Sequence, residues 1–172
     1  MTDVDKTSTA HRLTVPTPNG PFTVIHLDGA VLASGWTDDP GYLTALIHPR
    51  LRPATLTAGV GDRTPIIEAV TAYHDGDTAA VEEIAVAQVG GPFIEQAWKV
   101  LRTVPAGQTR TYSEFAELAG NGQAVRAAAS ACASNAAALF VPCHRIQRSD
   151  GTLGGFRYGL AVKRWLLDHE GR

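Results

Sequence analysis

Gly90-Gly91-Pro92 is the clearest break in this 172-residue chain, because two residues without side chains followed by one without an N–H support neither a helix nor a strand ladder. The sequence differs in kind on its two sides. Before the break, apolar residues come in short runs rich in Val, Ile, Thr and Phe, separated by Pro, Gly, Asn and Asp. After it they recur at helical spacing. The charge divides at the same place. Residues 1–91 carry 5 Lys+Arg against 11 Asp+Glu, whereas residues 92–172 carry 10 against 6, so only the second half has a net positive field to offer a polyanion. A chain with 44% hydrophobic and 19% charged residues is ordinary globular material. No apolar run approaches the roughly 20 residues a membrane span needs. Residues 1–12 lack the apolar stretch of a signal peptide, and two cysteines make no disulfide framework. The expectation is a reduced, cytoplasmic, monomeric protein of mixed α/β (α+β) class. Its domains are a small sheet-plus-helix domain over 1–90 and a helical domain over 91–172.

In the first domain, residues 1–10 are polar and read as frayed. Leu13–Val15, the turn-like Pro16-Thr17-Pro18-Asn19-Gly20-Pro21, and two β-rich runs on either side of Asp28-Gly29 predict a hairpin over about 22–36. Residues 37–62 fit no single template. Ala58-Gly59-Val60-Gly61-Asp62 lacks the full glycine fingerprint of a dinucleotide loop and reads as a turn. Thr64-Pro65 looks like an N-cap followed by proline at the first helical position, opening a helix to about His74. Val81–Val89 reads as a further strand.

In the second domain, Phe93, Ala97, Val100 and Leu101 predict a helix that Pro105-Ala106-Gly107 closes. Residues 113–119 and the alanine-rich 123–134 flank Gly120-Asn121-Gly122. That is the outline of a helix-turn-helix, or of any other αα-hairpin. Arg126 is the long side chain free to project from the second helix. Trp98 and Trp165 sit at core spacing among Leu and Val.

Val141-Pro142-Cys143-His144-Arg145 carries the chemistry. A free thiol has a pKa of about 8.5 and needs a base or a cation beside it to be nucleophilic at neutral pH. His144 and Arg145 follow directly, but neighbouring side chains often diverge, so adjacency alone leaves coincidence open. A third group would have to fix the imidazole tautomer. Zinc fits poorly, since two cysteines eleven positions apart with no paired histidines match no familiar closed site. No loop argues for a nucleotide or methyl-donor cofactor. The expectation is no metal and no cofactor.

Pro142-Cys143-His144-Arg145, Gly154-Gly155-Phe156-Arg157-Tyr158-Gly159 and the run from Lys163 to Gly171 together resemble the O6-alkylguanine-DNA alkyltransferases. Gly107 to Ser113 and Gln123 to Ala127 fit the same family in the same order. The resemblance is specific over residues 92–172, while Thr17–Pro21 and its following strand are similar to the family's first, RNase H-like domain more loosely. It implies repair of double-stranded DNA carrying O6-alkylguanine, with Cys143 taking the alkyl group once and keeping it. It places Glu170 as the carboxylate orienting His144, which draws off the thiol proton through a water, and Asn135 as a member of the same network. Tyr112 would assist the departing base, and Arg126 would fill the space left by an extruded nucleotide from a helix-turn-helix lying in the minor groove. Ser113, Arg157 and Tyr158 fall among the DNA- and substrate-contacting positions.

The chain departs from the family pattern in three places. Ala136 and Ala138 stand where relatives carry proline, which predicts a loosened turn after Asn135. Phe156-Arg157-Tyr158 puts bulk in the loop over the pocket, which predicts a narrow mouth favouring methyl over benzyl adducts. Arg145 reads as a structural ion pair. Cys132 reads as a small buried helix residue, with lining of the pocket as the other possibility. The alternative function is an alkyltransferase-like protein that binds the lesion and transfers nothing; such relatives replace the active cysteine, which is present here. A cysteine hydrolase built on Cys143 and His144 lacks any recognisable oxyanion motif.

Overall fold

A computed structural model describes residues 7–59 and 64–171. The chain forms two compact units: residues 1–89 with 136–140, and residues 90–135 with 141–172. The second passage of chain into the first unit was not anticipated by a single boundary near residue 90.

The first unit is built on a four-stranded sheet of order β3-β2-β1-β4, with β1 Thr9–Thr17, β2 Gly20–Leu27, β3 Ala30–Gly35 and β4 Thr55–Ala58. β1–β2 and β2–β3 are antiparallel, and β4 runs parallel to β1. The β2–β3 turn lies at Asp28-Gly29, as the sequence predicts. Both residues have positive φ (51° and 79°), the geometry of the two-residue turn that matches strand twist. β1 begins earlier than expected. Thr9 and Ala10 are paired with Thr55 and Leu56, and Ala10 is fully buried, so the chain near residue 10 is a strand and not a frayed end.

Helix α1, Pro40–Leu46, occupies the stretch that fits no sequence template; Asp39 caps it by accepting from the N–H groups of Gly41 and Tyr42. It packs Leu43 and Ile47 on Ile25, Leu32 and Ala33. Helix α2, Pro65–His74, starts where Thr64-Pro65 predicts it, with Thr64 accepting from Ile67 N–H. The expected turn at 58–62 lies largely outside the described residues. The strand expected over 81–89 does not form. Residues 77–84 instead make successive tight turns (Ala80 N–H to Asp77 O, Glu82 N–H to Ala79 O), and only Val86 bridges to Val31. Glu82-Glu83 interrupts the alternation that a half-buried strand requires. On the other side of the sheet Phe22 meets Trp36 edge-on at 4.9 Å and Phe140 at 6.4 Å.

The second unit opens with α3, Pro92–Leu101, followed by β5 Arg110–Thr111, α4 Tyr112–Leu118 and α5 Val125–Ser134. Trp98 is buried and its indole N–H donates to Ala131 O, tying α3 to α5. Thr111 and Glu114 form a reciprocal capping box on α4. Helices α4 and α5 with the turn at Gly120-Asn121 make the expected helix-turn-helix outline. A 3-10 turn, Cys143–Arg145, leads into β6 Ile146–Gln147, which pairs in parallel with β5, and α6, Leu160–His169, packs against that turn. Trp165 departs from its expected place in the core: it is half-buried and stacks on His169 at 4.6 Å. Among the described residues no helix is long and apolar enough to cross a membrane.

Candidate active site

The Cys143–Arg145 turn points three consecutive side chains into different surroundings, which answers the objection from adjacency. Cys143 is partly exposed, whereas His144 and Arg145 are 1% and 2% exposed. Asn135 caps the end of α5, leaving the helix at φ −64°, ψ 113°. Its Nδ2 donates to Val141 O at 2.8 Å and to Cys143 Sγ at 3.3 Å.

Behind the turn, α6 ends at Glu170, whose carboxylate is shared. His144 Nε2 lies 2.8 Å from Oε1, Arg145 Nη2 donates to Oε1 at 2.9 Å, and Arg145 Nε donates to Oε2 at 3.0 Å. Arg145 Nη1 also donates to Val104 O at 2.6 Å. Arg145 therefore takes the structural place expected of it, as a bidentate partner of a buried carboxylate. Against a carboxylate, Nε2 is the protonated nitrogen of a neutral His144. That leaves Nδ1 as the basic atom, and it is buried with no protein partner among the described residues.

The electrostatics divide the labour. Burial raises the Cys143 thiol pKa, and this outweighs the Asn135 hydrogen bond and the charges of Lys163 and Arg157, which act the other way. Cys143 thus rests as a thiol and needs a base at the moment of reaction. Burial holds His144 below its ordinary value despite Glu170, so the imidazole is neutral at pH 7. Burial alone would raise the Glu170 pKa, but its bonds and charge interactions with His144 and Arg145 win and hold it ionised far into acid.

Tyr112 opens α4 and stands close to Gly154: a Cβ there would lie 3.3 Å from the Tyr112 hydroxyl, at a φ of 72° that already favours glycine. Burial first, and then the neighbouring cysteines, raise the Tyr112 pKa, which keeps the hydroxyl a proton donor. Arg157 donates from Nη2 to Ala133 O near the end of α5. Tyr158 is half-buried and meets Phe156 edge-on at 5.9 Å. Ser113 and Arg126 are exposed near the starts of α4 and α5 respectively, apart from the buried hydrogen-bond cluster. Cys132 is half-buried on α5, and its thiol pKa is pushed up by burial and by the nearby Cys143. Among the described residues no cluster of three or more His, Cys, Asp or Glu could hold a metal ion.

Lys163 was missed as a functional candidate. It is fully buried, and its ammonium donates to the carbonyls of Ile146 at 2.6 Å, of Leu153, and of Gly155 at 3.5 Å. It thereby ties the loop after β6 to α6 and places a positive charge near Cys143. The signal was legible, since Lys163 precedes Leu166 and Leu167 by three and four residues, on the face of α6 that is otherwise apolar.

Residues 92–172 match the family model described as the DNA-binding domain of 6-O-methylguanine DNA methyltransferase. Over 165 residues, covering 91% of this chain and 93% of the relative, the sequence is 33% identical to the methylated-DNA–protein-cysteine methyltransferase of Shigella flexneri. The chain belongs to the methylated-DNA–protein-cysteine methyltransferase family. It is also 49% identical over 81 residues to the Escherichia coli bifunctional transcriptional activator/DNA repair enzyme Ada, a match spanning 47% of this chain but 23% of that longer protein. Among solved structures, Mycobacterium tuberculosis O6-methylguanine methyltransferase superposes with a TM-score of 0.76 at 28% identity, covering 94% of this chain and 92% of the other. The same mycobacterial protein in complex with DNA gives 0.67 at 26% identity over 93% and 92%. In this methyltransferase the buried hydrogen-bond cluster lies wholly within the family-matched segment.

Proposed function

We propose that this protein is a cytoplasmic monomer that repairs O6-alkylated guanine in duplex DNA by moving the alkyl group, methyl above all, onto Cys143. The observation that carries the reading is the joining of a thiol, an amide donor, a neutral histidine and a buried carboxylate at one turn of the family-matched domain. Helices α4 and α5 lie along the minor groove through phosphate contacts that tolerate any sequence, as search for damage requires. Ser113 helps seat α4 there. Arg126 enters the base stack as the damaged nucleotide is turned out, an extrusion that costs a few kcal/mol.

In the pocket, His144 Nδ1 takes the Cys143 proton through a water, with Glu170 holding the imidazole. The Asn135 amide stabilises the forming thiolate. Sulfur attacks the alkyl carbon as the bond from that carbon to guanine O6 breaks, and the electron pair leaves with the base. Tyr112 supplies a proton to the departing guanine and is reprotonated from the His144 imidazolium through solvent, so the net result moves one proton from thiol to base. Arg157 and Tyr158 close over the adduct. The thioether product has no base-driven way back, and each molecule acts once.

The test is to incubate the protein with a duplex containing one O6-methylguanine and measure its intact mass. A gain of one methyl group per chain, mapped to the peptide of Cys143, is the expected result. Binding without a change in mass would mark a lesion-binding protein that transfers nothing. Neither binding nor mass gain would overturn the reading.

Two substitutions probe the pocket. Lys163→Met removes a positive charge that favours the thiolate. The rate of methyl transfer is expected to fall several-fold at pH 7, and the midpoint of its pH–rate profile to move to higher pH. An unchanged profile would count against electrostatic help from Lys163. Tyr158→Gly is expected to raise the rate on O6-benzylguanine duplex at least about tenfold relative to O6-methylguanine, by opening a loop that Phe156 and Tyr158 now fill. Equal ratios in wild type and variant would remove Tyr158 as the size gate.

A further inference from the structure

The Asn135 side chain has two amide protons and two acceptors, Val141 O and Cys143 Sγ, so its usefulness depends on how its backbone is aimed. The α5 ladder does not fix the peptide that follows, because Asn135 has already left helical geometry. That peptide is planar, and it carries Asn135 Cα and C together with Ala136 N. Whatever holds Ala136 N–H therefore sets the ψ of Asn135.

The holder is Gln88. Its Oε1 accepts from Ala136 N–H at 2.9 Å across 48 residues of sequence. Gln88 sits next to Ala87, whose N–H donates to Val31 O on β3 at 2.9 Å, so its backbone is moored to the sheet. Ala136 O accepts from Ser34 N–H at 2.8 Å, and Ser34 Oγ donates to Ala138 O at 2.7 Å. The expected slackness after Asn135 is thus absent. Alanine at 136 keeps an N–H that proline would lack, and Gln88 uses it. Asn135 itself is extended, at φ −64° and ψ 113°.

We propose that Gln88 is a positioning residue for alkyl transfer, which fixes the Asn135–Ala136 peptide and thereby aims the Asn135 amide at Cys143 Sγ. The inference rests on the reading of Asn135 and Cys143 as transfer residues. A hydrogen bond that merely satisfied a half-buried N–H would alter stability; one placed on the peptide that carries Asn135 alters the rate.

The experiment measures single-turnover methyl transfer from an O6-methylguanine duplex at increasing protein concentration, for wild type, Gln88→Met, Gln88→Glu, Asn135→Ala and Gln88→Met/Asn135→Ala. Gln88→Met keeps the length of the side chain and loses the acceptor. Its maximal rate constant is expected to fall roughly 5- to 10-fold, within the range that small misplacements of a reacting group cause, with the half-saturating concentration unchanged. Gln88→Glu retains an acceptor and is expected to recover to within about twofold of wild type. The double variant is expected to be no slower than Asn135→Ala alone, because both act through one amide. A wild-type rate in Gln88→Met beside a slow Asn135→Ala would overturn the role of Gln88, as would full additivity in the double variant. A wild-type rate in Asn135→Ala would instead overturn the reading beneath it. If Gln88→Met melts below the assay temperature, Gln88→Ser, too short to reach Ala136, reads the same loss.

Discussion

Cys143→Ala is expected to abolish alkyl transfer, by at least about 10⁴-fold, while the variant still binds an O6-methylguanine duplex. The size of the effect follows from the site having one sulfur that is both nucleophile and acceptor. Cys132 cannot stand in: burial pushes its thiol pKa up, and the Asn135 amide that would stabilise a thiolate donates to Cys143. The measurement is intact mass after prolonged incubation with lesion duplex, alongside binding by the same variant. Methyl appearing on Cys132 would show that the pocket admits a second acceptor. The pH dependence of the wild-type rate has a definite sign. His144 must be neutral to take the proton, and burial lowers its pKa from the ordinary 6.5. Transfer should therefore persist to lower pH than an ordinary histidine would allow, and fall below that.

Glu170→Ala is expected to be the most destabilising change at the site, by about 3–5 kcal/mol, the usual effect of removing one partner from a buried ion pair. Arg145, with 3% of its side chain exposed, would keep Val104 O and lose both carboxylate contacts. For a chain of this length the melting temperature should fall by roughly 10 °C. Glu170→Gln should fall between the two, since it keeps the shape without the charge. The same network makes stability depend on pH. The folded pKa of Glu170 is depressed, so its contribution is fully present above the unfolded value of about 4.3 and is lost as pH falls below it. His144 is also depressed, so the unfolded chain binds its proton first and stability begins to decline below about 6.5. Both act in the same direction. Thermal melts at pH 5, 4 and 3, which cross the unfolded carboxylate value, should show progressive loss in wild type and a flatter profile in Glu170→Ala. Equal slopes would show that Glu170 is not the linked group.

Much of this arrangement was legible where the backbone chemistry is local. Asp28-Gly29 dictates its turn and Thr64-Pro65 its helix start, while the grouping of Asn135, Cys143, His144 and Glu170 is what the family resemblance implies before any geometry is known. What escaped depends on partners distant in sequence. Residues near 10 look frayed until β4 arrives beside them from 46 residues away. Val81–Val89 has strand-like composition, yet only Val86 finds an edge to bridge, at Val31. The spacing of Lys163 to Leu166 and Leu167 puts it on the apolar face of α6, but sequence does not reveal which carbonyls will surround its ammonium. The proline missing at 136 suggests looseness, and the compensating group is a glutamine 48 positions earlier. Spacing along a helix or a turn is written in neighbours, whereas pairing across a fold is not.

The assignment of residues 136–140 to the first unit bears on how the molecule is made. A chain emerging from the ribosome presents the sheet, α1 and α2 first, yet Ala136 and Phe140 of that unit are still unsynthesised. They follow residue 89 by about 50 residues, which at typical elongation rates is roughly 3–10 s. During that interval Phe22 and Trp36 have no Phe140 to complete their cluster, and the β3 backbone at Ser34 has no Ala136 carbonyl to bond. The amino-terminal unit therefore finishes folding only after α3, α4 and α5 have been made. Its completion and the delivery of Cys143, three residues beyond Phe140, are nearly one event in time.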